Sequence, residues 1–102
     1  MGVSYPQTYD WQESTPSASN ATATHAAETN IRHVIDFIAI QGDSAGKTWT
    51  ITTGSRIIFV GDIGDESLTL GTAFLGDIGQ NIAVALNTTG QVTIAGHSQR
   101  MK

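Results

Sequence analysis

Between Ile31 and His97 the chain is a succession of short runs rich in β-branched and aromatic residues, each cut by a turn that carries glycine. The runs cover residues 31–40, 47–53, 56–60, 67–70, 72–75, 80–86 and 91–95. Six or seven strands spaced about eight to twelve residues apart predict an all-β fold, a small antiparallel sandwich or barrel. Residues 82–86 (Ile-Ala-Val-Ala-Leu) are apolar enough for a helix, but their length and flanking turn residues favour a strand.

Alternation assigns faces. In residues 31–40, Ile31, His33, Ile35, Phe37 and Ala39 point one way, and Arg32, Val34, Asp36, Ile38 and Ile40 the other. Both faces are largely apolar, so this strand is expected inside a sandwich or against another subunit, with Val34, Ile38 and Ile40 as the oligomer contact. Thr48, Thr50 and Thr52 alternate with Trp49 and Ile51, which turns the tryptophan inward. Residues 53–55 (Thr-Gly-Ser) read as a hairpin turn. The motif Gly-Asp-Ile-Gly occurs at 61–64 and again at 76–79, and both copies are expected to be turns, with Asp as cap and Gly at positive φ.

The first thirty residues are different. They hold both prolines, the polar run 14–20 and few aliphatics, which predicts an extended N-terminal arm over 1–29 and a β-sandwich domain over 30–102. Tyr5, Tyr9 and Trp11 are three of the seven aromatic residues, and rings at that density point to an arm that docks on a neighbouring surface. The alternative is that the rings fold back on their own domain. The chain has no cysteine, so neither disulfides nor thiolate zinc sites can staple so small a core, and oligomerisation is the remaining common source of burial. A formal charge of −4 is the wrong sign for tracking a nucleic-acid backbone. The apolar runs are far shorter than a bilayer span, and residues 1–20 have neither the basic start nor the apolar centre of a signal peptide, so no membrane partner is expected.

Side chains with reactive or ligating chemistry form no recognisable motif. Asp62, Asp65 and Glu66, with Asp77 as a further member, offer oxygens to a cation, but their spacing is not that of a twelve-residue calcium loop, and a solvated acidic turn is expected. His25, His33 and His97 are scattered; a zinc site would require convergence from three elements, so ordinary hydrogen-bonded histidines and no metal are expected. Ser55 and Ser67 lack a nucleophile-elbow context, and the glycine pairs lack the Lys-Ser/Thr of a phosphate loop. These absences predict neither an enzyme nor a cofactor.

Several local patterns lie together from about Ala21 onward: an Ala/Thr-rich lead-in, Arg-His-Val-Ile at 32–35, Ser-Ala-Gly at 44–46, Thr-x-Thr-Ile at 48–51, Gly-x-x-Ile-Ile at 54–58, Gly-x-x-Gly-x-x-Ile-Ala-Val-x-Leu at 76–86 and Val-Thr-Ile-x-Gly at 92–96. Together they resemble small virion proteins of tailed bacteriophages, over roughly the last eighty residues. The resemblance implies a jelly-roll-like β-sandwich, often trimeric, acting as a capsid cement or decoration protein, or alternatively as a head-fibre or tail-fibre module for host or glycan attachment. It further implies a homotrimer bound to the major capsid protein on the outer capsid surface, where acidic charge is compatible with distance from packaged DNA. In that setting Tyr5, Tyr9 and Trp11 would form the capsid-docking arm.

Overall fold

The computed structural model describes residues 10–42, 47–63, 67–71 and 73–100. Among them are nine strands: β1 (Trp11–Ser14), β2 (Thr22–His25), β3 (Ile31–Gly42), β4 (Lys47–Thr53), β5 (Arg56–Ile63), β6 (Ser67–Leu70), β7 (Phe74–Leu75), β8 (Ile82–Leu86) and β9 (Gly90–Arg100). The fold is all-β, as the turn spacing predicts. One sheet has the order β1-β9-β3-β6, with β7 also paired to β3, and the other the order β2-β8-β4-β5. Every strand pair is antiparallel. Ile35, Ile38, Ile40, Val92 and Ile94 from the first sheet share one core with Trp49, Ile51, Ile82, Val84 and Leu86 from the second, which makes the two sheets a sandwich.

The long pairing of β3 with β9 contains a β-bulge at Asp36: Ile35 lies opposite Gly96 and Phe37 opposite Ala95. One extra residue inverts the alternation beyond it. Ile35 before the bulge and Ile38 and Ile40 after it therefore all reach the same core. Strict alternation had placed Ile35 on the face opposite Ile38 and Ile40, and that is corrected. The assignment of Val34, Ile38 and Ile40 to an oligomer contact is corrected with it, since all three are buried within the single chain.

The arm expected over 1–29 is also corrected from residue 11 onward. Residues 11–14 add β1 to the edge of β9, from Trp11 opposite Gly96 to Ser14 opposite Thr93, and residues 22–25 pair as β2 with β8. Backbone bonds from Thr15 to Val92 and between Ala18 and Gly90 lace the intervening segment down. Trp11 is buried and belongs to the core, so its ring folds back on its own domain rather than docking elsewhere. Low apolar content misled because strands this short need only one or two inward residues, here Trp11 in β1 and Ala23 in β2, with Ala21 buried just ahead of β2. Tyr5 and Tyr9 lie outside the described residues.

The two Gly-Asp-Ile-Gly copies have different structures. The second is a turn: Gly79 has φ 78°, Gly76 N–H bonds to the His33 carbonyl (2.9 Å), and Asp77 N–H bonds to Thr53 Oγ1 (2.8 Å). In the first, Gly61, Asp62 and Ile63 continue β5, which corrects the turn expected there. Gly61 serves close approach instead, because a Cβ at that position would lie 2.6 Å from the Trp49 indole.

Gly96 is the tightest point of the first sheet. A Cβ there would lie 1.8 Å from the Val34 carbonyl oxygen and 2.9 Å from the Trp11 ring. Backbone cannot yield as a flexible side chain can, so Gly96→Ala is expected to destabilise the fold by about 3 kcal/mol or more. Trp11→Ala is expected to cost a similar amount, about 3 kcal/mol, by emptying a core site. Denaturant melts of both variants check this; a Trp11→Ala chain as stable as the parent would return Trp11 to the arm.

Candidate interaction surface

At the outer edge of the second sheet, β4 pairs one side of β5 and, among the described residues, no strand pairs the other. Its sequence, Arg-Ile-Ile-Phe-Val-Gly-Asp-Ile, carries more apolar side chains than one core-facing row can bury. A register shift between Ile51 and Thr52 of β4 leaves Ile58 unpaired between Ile57 and Phe59, which breaks the alternation. Ile57 is 59% exposed, Val60 54% and Phe59 43%. Leu75 and Ile78 add exposed apolar surface in and just after β7. Phe59 connects inward, with its ring centroid 5.3 Å from Trp49 and 5.7 Å from Phe74. An apolar strand with an open hydrogen-bonding edge is a template for another chain, and natural edges are ordinarily protected by charge, proline or cover.

Charge flanks this strand at its start. Arg56 grips Asp77 through both carboxylate oxygens, Nε to Oδ2 at 3.0 Å and Nη2 to Oδ1 at 2.8 Å. That pair joins the β4–β5 hairpin to the turn after β7, beside Ile57 and Ile78. It also removes Asp77 from the acidic group foreseen in the sequence. Of that group's other members, Asp62 is exposed in β5, whereas Asp65 and Glu66 lie outside the described residues.

The histidines are placed where sequence spacing gave no warning. His97, on β9, donates from Nδ1 to Asp36 at the bulge (2.6 Å). His25 and His33 meet near the N-terminal strands, with ring centroids 4.3 Å apart and the rings nearly perpendicular. His25 also stacks flat on Trp11 (4.2 Å, 8° between planes) and donates from Nδ1 to Glu13 Oε2 (2.7 Å). His33 is fully buried; its Nε2–H donates to the Ala26 carbonyl (2.9 Å), and its Nδ1 accepts from the Ser98 hydroxyl (2.7 Å). Burial, and secondarily the neighbouring His25, lowers the His33 pKa below 6.5, against the opposing pull of the Ala26 carbonyl and Glu28. What the sequence lacked was the placement of β2 and β3 in facing sheets, which brings His25 against His33.

A shallow depression of about 190 Å³ is lined by Ser17, Gln41, Gly42, Thr89, Gly90 and Gln91, none of them titratable in the physiological range. No family model and no curated protein matches the chain.

The Arg56–Asp77 pair predicts a pH effect. The hydrogen bond from Arg56 is the leading cause that holds the Asp77 carboxyl below its ordinary 3.8. The unfolded chain therefore takes up this proton at higher pH than the folded one, and the pair's stabilisation is present above about pH 3.8 and lost as pH falls through the lower folded value. Arg56→Gln should flatten that part of the acid limb in a denaturant series between pH 2 and pH 5, with a small effect because both side chains are about half exposed.

Proposed function

We propose that this chain is a structural assembly module of a tailed-bacteriophage virion, most specifically a cement or decoration protein that binds the outer capsid shell as a trimer. The observation that carries the assembly reading is the open β5 edge with Ile57, Phe59 and Val60 exposed beside it. Such surface on a small domain favours burial against another subunit. Val34, Ile38 and Ile40 are consumed by the chain's own core, so the self-contact moves to β5.

The strand order supports the jelly-roll part of the proposal. Strands β1, β9, β3 and β6 face β2, β8, β4 and β5, the arrangement of an eight-stranded double Greek key, with β7 as an addition on β3. The fibre alternative asks for aromatic rings around an exposed groove, whereas Trp49 is buried. Attachment to the major capsid protein is assigned to the residues ahead of β1, where the sequence carries Tyr5 and Tyr9.

Two measurements test the proposal. The chain should sediment as a trimer, and Val60→Lys or Ile57→Lys should convert it to a folded monomer with unchanged circular dichroism, since both positions are exposed in the single chain. The chain should also purify with mature particles and appear on the shell when they are imaged. A monomeric parent would overturn the trimer; location on a tail fibre would overturn the capsid assignment.

A further inference from the structure

We propose that His25, Glu28 and His33 form a binding site for a zinc-class divalent metal ion, which ties together the N-terminal ends of the two sheets. The three residues come from separate places: His25 ends β2 in one sheet, His33 lies in β3 of the other, and Glu28 sits in the connection between them. One ligand atom from each lies within 4.8 Å of the others. Around a tetrahedral ion with bonds of about 2.0–2.1 Å, ligand atoms stand roughly 3.4 Å apart. Glu28 Oε1 and His33 Nε2 are already 3.5 Å apart. The Glu28 side chain is 59% exposed and is the ligand freest to close the remaining distance.

The outer partners prepare the rings. Glu13 holds Nδ1–H of His25, which leaves Nε2 as the nitrogen offered to a metal, in the carboxylate–histidine arrangement that fixes tautomer and raises ligand basicity. The flat stack on Trp11 fixes the plane of that ring. Without metal, the Nε2 proton of His33 is held by the Ala26 carbonyl. Metal binding at Nε2 moves that proton to Nδ1, where Ser98 Oγ, already 2.7 Å away, changes from donor to acceptor. The Ala26 carbonyl or a water supplies the fourth ligand. Two imidazoles and one carboxylate select zinc and its neighbours over calcium or magnesium, which take oxygen ligands. For a chain without cysteine, such a site does the work of a staple.

The test uses the full, untagged chain stripped with a chelator and titrated with ZnCl2 by calorimetry, and with CoCl2 by visible absorption. We expect one ion per chain, a tetrahedral cobalt spectrum, and a rise in melting midpoint with zinc that calcium does not reproduce. His33 is buried and left unchanged. Glu28→Gln and His25→Gln should remove the midpoint rise while keeping the parent's circular dichroism. Glu13→Gln, which touches no metal, should weaken zinc binding by about ten- to a hundredfold. No binding at submillimolar zinc would overturn the proposal. So would binding unchanged in Glu28→Gln and His25→Gln, which would place the ion elsewhere, for instance at His97 and Asp36.

Discussion

The approach of three backbones at Gly96 is the contact on which the first sheet depends. Opposite it, β3 takes in its extra residue at Asp36, and the Val34 carbonyl lies where any side chain on Gly96 would have to go. On the other side Trp11 pairs with Gly96 and lays its ring over the bare Cα. A single glycine thus admits the bulge, and the bulge sets which residues of β3 face the core. Without it, Ile35 would face away from Ile38 and Ile40, and the sandwich would lose one side of its filling.

The N-terminal strands follow from the same contact. Trp11, seated over Gly96, is the platform on which His25 stacks, and His25 in turn meets the edge of His33. The backbone of β3 brings His33 to Ser98 of β9, two residues beyond Gly96. His33, the buried imidazole at this end of the molecule, is therefore satisfied by the Ala26 carbonyl in the connection after β2 and by Ser98 of β9, rather than by solvent. A polar cluster of that kind is costly if incomplete, which ties the order of the first strands to the order of the whole sheet.

The opposite edge of the molecule has another character. At β5 the second sheet ends in a strand whose apolar side chains exceed what β4 and the core can cover. Phe59 illustrates the compromise: part of its ring packs toward Trp49 and Phe74, and the rest meets solvent. One edge is built from internal polar contacts and the other from uncovered apolar surface.

Period-2 patterning and turn chemistry are local, and so the sequence alone carried the all-β class, most strands of the second half, the hairpin at Gly54 and the inward Trp49. Face assignment in β3 was not local: the bulge at Asp36 answers the backbone of β9, some sixty residues away, and alternation cannot register an inserted residue. For the same reason Trp11 read as part of a free arm, since its partner Gly96 lies at the far end of the chain. Gly61 and Gly79 belong to the same four-residue motif, yet one yields space to Trp49 and the other turns the chain. Nor could spacing join His25, Glu28 and His33, because their meeting depends on β2 and β3 lying in the two facing sheets, with Glu28 in the connection between them. Sequence determined the elements, whose causes lie within a few residues, while long-range pairing in three dimensions decided which side chains those elements bring together.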